Sequence, residues 1–202
     1  QTAARTVAGI GRGRMYRGRF SRKGYKMPYE VTTGPATEPL TLAEAKAHLR
    51  VTASNDEALI TSLIIVARQY VEAILWRKLV TQTLTLERDR FPTGADVLLL
   101  PGGDVASVTS IGYTDTNGDA QTITTQQENL TAVPAELSPA FEESWPTTRR
   151  QQAAVSIVYV AGYGSASDVP EPIRHAMRLL IGDYYENRTN QPVVPIGSVA
   201  LR

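Results

Sequence analysis

The feature that most constrains this chain is a change of period along it. Between residues 41 and 76 apolar side chains recur at three- and four-residue steps; over residues 79–163 they alternate with polar ones; from 170 to 187 the helical step returns. Helices at both ends of a long β stretch predict an α+β fold, with an N-terminal helix pair and a C-terminal helix packed on a mostly antiparallel sheet.

Thr41-Leu42-Ala43-Glu44 reads as a capping box and opens a short helix over 41–51. Ser54-Asn55-Asp56-Glu57 repeats the pattern ahead of a longer helix over 55–76, whose apolar face is expected to be Leu59, Leu63, Val66, Tyr70 and Ile74, with Trp76 in the core at its end. The last helix, 170–187, starts at Pro170-Glu171-Pro172, where first-turn amides need no helical partner, and carries Ile173, Met177, Leu180, Ile181 and Tyr184 on one face. In the β region, VTQTLTLERDRF, 97–100, 105–113, 120–124 and 153–163 read as strands, with Asn117-Gly118 as a hairpin turn. The stretch 126–152, with Pro134, Pro139 and Pro146, reads as a long loop and contact surface. Gly162-Tyr163-Gly164 reads as a flexible turn.

At 202 residues and 42% hydrophobic, the chain suffices for one well-packed domain, expected over 39–188. Residues 1–38 read as a flexible basic arm and linker, and 189–202 as an extended tail. Without Cys there is no disulfide framework, thiolate metal site or Cys nucleophile. No apolar run approaches the ~20 residues of a membrane span, the most apolar being LITSLIIVA at 59–67, so a soluble protein without a membrane partner is expected.

The net charge of +1 hides an asymmetry: residues 1–30 carry eight cations against Glu30, or +7, leaving −6 on the remaining 172 residues. The cations are Arg5, Arg12, Arg14, Arg17, Arg19, Arg22, Lys23 and Lys26, interleaved with Tyr16, Phe20 and Tyr25. Such an arm suits contact with polyanion phosphates, an interface on a protein partner, or a solvated tail. Gly9, Gly11 and Gly13 lack the spacing and preceding strand of a dinucleotide-binding loop.

Catalysis finds little support. His48 and His175 lie on expected helices without a metal-ligand spacing, Glu142-Glu143 reads as a solvated pair, and neither Ser144 nor Ser165 sits in a nucleophile elbow. No enzyme activity, metal or cofactor is expected. Trp145, with Arg149 and Arg150 close by, is the candidate interface with another subunit or partner, the alternative being that Trp145 folds back to cap the sheet.

The segments PLTLAEAKAHLRV, ASNDEALITSLIIVARQYVEAI, LVTQTLTL, SWPTTRRQQAAVSIVYVAGYG and VPEPIRHAMRLLIGDYYENR, in this order over about 38–190, resemble the tailed-phage head-tail connector family, the adaptor or head-completion proteins, in a variant with a β insertion. The resemblance implies a structural subunit of a virion or phage-like particle, infectious phage or gene transfer agent. It implies a ring, dodecameric in the family, beneath the portal protein, extending the DNA channel to a stopper or tail-terminator protein. Assembly in the host cytoplasm would precede incorporation, and non-specific contact with packaged DNA is a further expectation. Within this frame Pro192, Val193, Val194, Pro195 and Ile196 are the expected portal-docking tail. The basic arm and the short C-terminal region depart from the family pattern. The competing reading is a nucleic-acid-binding protein acting through its Arg/Gly-rich arm.

Overall fold

A computed structural model describes residues 29–187. The eight arm cations and the 192–196 segment lie outside them.

The capping box forms as expected. Thr41 Oγ1 accepts from the Glu44 N–H at 3.2 Å while the Glu44 carboxylate accepts from the Thr41 N–H at 2.8 Å, starting α1 (Leu42–Leu49). The Thr41 N–H first, then the Thr41 hydroxyl and the Arg174 guanidinium, hold the Glu44 carboxyl below its ordinary range. Helix α2 (Glu57–Leu75) starts differently. Asp56, not Ser54, is its N-cap and makes no side-chain capping bond; its carboxylate instead accepts from the Tyr185 hydroxyl on α3 (Glu171–Glu186). Pro170 caps α3, with Pro172 in its first turn.

The face α2 turns inward is only partly the expected one: Leu63 and Tyr70 pack half-buried against the helical cluster, but the buried stripe lies beside them. Ile60, Ile64, Ala67 and Val71 are buried with Leu40, Ala45, Leu79, Met177 and Ile181, whereas Leu59, Val66 and Ile74 are exposed, Ile74 at 58%. Both stripes are apolar, so periodicity could not choose between them. Trp76, expected in the core, is instead the left-handed C-cap of α2 and is 45% exposed. By length and composition α2 (mean hydropathy 1.6) is long and apolar enough to match a membrane span, contrary to the sequence expectation. Its inner face nevertheless packs within the helical cluster, and it carries the buried, ion-paired Arg68 and Glu72.

Two antiparallel sheets make up the rest. The first has the order β1-β2-β8-β4-β5, comprising β1 (Glu30–Thr33), β2 (Gln82–Arg88), β8 (Val155–Ala161), β4 (Val105–Thr114) and β5 (Ala120–Ile123). The second is β3-β7-β6, comprising β3 (Leu98–Leu100), β7 (Ala135–Pro139) and β6 (Gln126–Asn129). Strand β8 alternates strictly, with Val155, Ile157, Tyr159 and Ala161 buried, and pairs along its length with β2 and β4. Its inner side chains meet Leu84 and Leu86 of β2 and Leu98, Leu100 and Leu137 of the small sheet in one core, each large apolar side chain contributing roughly 1.5–3 kcal/mol by leaving water. The Tyr159 hydroxyl donates to the Pro101 carbonyl at 2.8 Å, which satisfies its one buried polar group.

Two parts of the expected division are corrected. Residues 29–38, assigned to the flexible linker, contain β1, and Tyr29 is buried in the core. The expected loop 126–152 contains β6 and β7: Gln, Glu and Pro mask the strand propensity, but Ala135, Leu137 and Pro139 alternate inward as a half-buried strand requires. The Asn-Gly hairpin forms as expected, with the Asp115 carboxylate accepting from the N–H groups of Asn117, Gly118 and Asp119, which holds its pKa low. The Gly162-Tyr163-Gly164 segment is a tight packing point: at φ +134° the Cα of Gly162 lies so close to β2 that a Cβ would stand 2.6 Å from the Val80 carbonyl oxygen.

Candidate interaction surfaces

Five side chains converge where α2 meets the start of β2. Arg68 Nε–H donates to Glu38 at 2.7 Å and its Nη1 to Glu72 at 3.3 Å; Lys78 Nζ donates to Glu72 at 3.0 Å. The other oxygen of Glu72 accepts from Gln82 Nε2 at 2.7 Å and from the Leu79 N–H at 3.1 Å. Arg68, Glu72, Lys78 and Gln82 are all buried, and Lys78 also lies 5.5 Å above the Tyr29 ring. This network ties Glu38, α2 and the start of β2 together, with Tyr29 beside it. Four polar residues spread over 15 positions in an apolar stretch were the only sequence signal, and reading α2 by its apolar side chains alone missed it.

Trp145 resolves in favour of the core. Its ring stacks on Phe91 with centroids 4.9 Å apart and planes 3° from parallel, and its Nε1–H donates to the Asp96 carbonyl at 2.8 Å. Trp145 thus caps the two-sheet core, while Arg149 and Arg150 stay exposed. Both line an open cleft of about 910 Å³ together with Asp89, Arg90 and Trp145. Neither arginine joins an ion pair among the described residues, and the Arg149 guanidinium lies against Gly118 of the hairpin turn.

His48 and His175 are exposed on helix surfaces, as are Glu142 and Glu143 in the loop after β7. Among the described residues no group of three or more His, Asp or Glu is placed to hold a metal ion.

Two surfaces were not anticipated. One is the outer stripe of α2, where Leu59, Val66 and Ile74 lead to Leu75 and Trp76. The other is electrostatic. All twenty acids fall within residues 29–187, and eight of them lie in 91–148, a stretch without a single Lys or Arg. Counting charge in segments rather than by arm and body would have found it.

The α+β body thus carries a stripe of exposed apolar side chains on α2, the kind of surface that favours association. The sequence matches the model of the phage gp6-like head-tail connector proteins over residues 39–143, just over half of its length. The chain belongs to that family, whose members are structural connectors. Among solved structures it resembles a chain in the neck of an empty GTA particle computed with C6 symmetry, at TM-score 0.70 and 23% identity over 83% of this chain and 89% of that one. It is equally similar to a chain of the virion of a native gene transfer agent (GTA) particle, with the same values. A chain in the neck of a native GTA particle computed with C12 symmetry matches at TM-score 0.68 and 23% identity, over 82% and 87% of the two chains. At this identity the likeness is one of fold. Among curated proteins none matches the sequence.

Proposed function

We propose that this protein is a non-enzymatic head-tail connector of a phage-like particle, closing into a twelve-membered ring beneath the portal. The ring extends the DNA channel and offers a platform to the next neck or tail protein. The observation that carries this reading is the outer stripe of α2, where Leu59, Val66 and Ile74 stand at 36–58% exposure. A surface of this kind on a folded body favours association. The C12 symmetry of a neck that holds a chain of the same fold supports the ring number. In a cyclic ring each contact joins two different patches, so the α2 stripe must meet a different surface of the next subunit. Arg149 and Arg150, exposed and without ion partners among the described residues, fit the same kind of contact with acidic groups of a neighbour. The 192–196 segment retains its expected role in docking on the portal.

Mass photometry of the purified chain, followed by cryo-electron microscopy of the particle vertex, tests the reading. The expected result is a species of about twelve times the 22.0 kDa chain mass, or a ring at the vertex, lost in a Val66→Lys, Ile74→Lys double variant that stays folded. A chain that remains monomeric at every concentration and is missing from the vertex overturns it.

A second reading, a nucleic-acid-binding protein acting through its arm, is favoured by eight cations and no acid within residues 1–29. It requires the free monomer to bind duplex DNA with a log–log salt slope of about −4 to −5, the value for roughly five neutralised phosphates.

A further inference from the structure

The three-stranded sheet has an outer face with nothing packed on it among the described residues. Its inner residues, Leu98, Leu100, Ala135 and Leu137, belong to the core, so the alternate positions point away from it. Leu99 stands opposite Glu136 in the register, and Glu136 opposite Asn129, whose side-chain amide donates to it at 3.1 Å. Strand β3 is an edge strand, and Val97 and Leu99 are exposed at 45% and 46%. The loop leaving β7 carries Phe141, 78% exposed, with Glu142 and Glu143, and returns beside the segment before β3 at Trp145, whose N–H donates to the Gly94 carbonyl at 3.0 Å and whose indole N–H donates to that of Asp96. Val97, Leu99 and Phe141 are thus three exposed apolar side chains, accompanied by Glu136, Glu142 and Glu143, inside the stretch 91–148 that has no Lys or Arg.

A complement to this face exists in the same chain. Residues 1–28 carry eight cations, no acid, and the aromatics Tyr16, Phe20 and Tyr25. They join the body at Tyr29, whose ring lies under the far end of the same sheet, its Cε1 3.9 Å from where a Cβ on Gly102 would stand, two residues beyond β3. A segment of 28 residues spans at most about 90–100 Å, so the face is well within reach of its attachment point. Tethering also gives the segment an effective concentration on the order of millimolar at its own chain's face, above that of any neighbour in dilute solution. We infer that residues 1–28 dock on the outer face of the β3-β7-β6 sheet of their own chain, with Arg and Lys meeting Glu136, Glu142 and Glu143 and the aromatics covering Val97, Leu99 and Phe141. This inference stands whether or not the chain closes into a ring.

Photo-crosslinking in the full chain tests it, with p-benzoylphenylalanine in place of Phe20 and a mixture of isotopically light and heavy chains. The expected products join residue 20 to peptides covering 96–99 or 136–143 of the same isotopic label. Their yield should fall about tenfold when Glu136, Glu142 and Glu143 are all changed to Lys, three exposed ion pairs being worth together about 1.4 kcal/mol. If the Lys variant loses its far-ultraviolet circular dichroism, the corresponding Glu→Gln variant carries the same test with a smaller loss. Cross-links to other surfaces, cross-links only between differently labelled chains, yields indifferent to the substitutions, or capture only by added duplex DNA would each overturn the inference. Mass photometry of the same samples reports the ring separately, so failure of one reading is distinguishable from failure of the other.

Discussion

The Glu72 carboxylate and the Lys78 ammonium meet at 3.0 Å, with side chains only 3% and 9% exposed. Buried ions on this scale need every lone pair engaged, and Glu72 has four donors: Arg68, Lys78, Gln82 and the Leu79 N–H. Glu72→Ala leaves Arg68 and Lys78 facing an empty site and should cost about 3–5 kcal/mol, read as a lower urea midpoint at fixed protein concentration. Glu72→Gln, which keeps one acceptor oxygen, should cost less. An unchanged midpoint in both would mean the network adds nothing to stability.

Trp145→Ala removes a stacked ring and a hydrogen bond from the core. It should destabilise the fold by about 3–5 kcal/mol, while Trp145→Phe restores part of the stack on Phe91 and falls between. Thermal melts of both variants decide the matter. A fully stable Trp145→Ala monomer that merely fails to assemble would assign this residue to an interface after all.

Gly162→Ala tests the β8 exit. The φ of +134° and the 2.6 Å approach to the Val80 carbonyl leave no room for a methyl group, so a loss of about 1–3 kcal/mol is expected by chemical denaturation. By contrast, Gly94→Ala, at φ +64° with open space around it, should cost less.

Burial first, and the Glu72 charge second, push the Tyr29 phenol from its ordinary 10.0 up to about 12. Tyr159 moves in the same direction, chiefly through burial. A pKa raised in the folded state stabilises the protein fully below the unfolded value. That contribution fades as pH climbs from about 10 through about 12, so unfolding in base should accompany phenolate formation in an absorbance titration. Among the described residues the buried Tyr29 hydroxyl has no hydrogen-bond partner, so Tyr29→Phe should leave stability at neutral pH unchanged or raise it by about 1 kcal/mol.

Much of the architecture was legible because the signals were local. The Thr41–Glu44 box, the Asn117-Gly118 turn, the alternation of β8 and the prolines of α3 each fix geometry within a few residues. What escaped depended on distant partners. Helix α2 has two apolar stripes, and only α1 and α3 decide that Ile60 and Ile64 face inward while Val66 and Ile74 do not. Strands β6 and β7 are strands because β3 lies beside them; alone, their Gln, Glu and Pro residues read as loop. Of the three residues expected at an interface, Arg149 and Arg150 are exposed, whereas Trp145 was claimed by Phe91 across more than fifty positions of sequence.

The helical cluster is closed by residues that are far apart in the chain: Leu180 and Ile181 seal what Leu40, Ile60 and Ile64 begin, and the Arg174 guanidinium reaches Glu44 across 130 positions. On the ribosome, therefore, α1 and α2 emerge long before their third wall exists. Until Leu180 and Ile181 have been made, Ile60 and Ile64 have no cover, so the helical half of the core can close only after nearly the whole body has been synthesised.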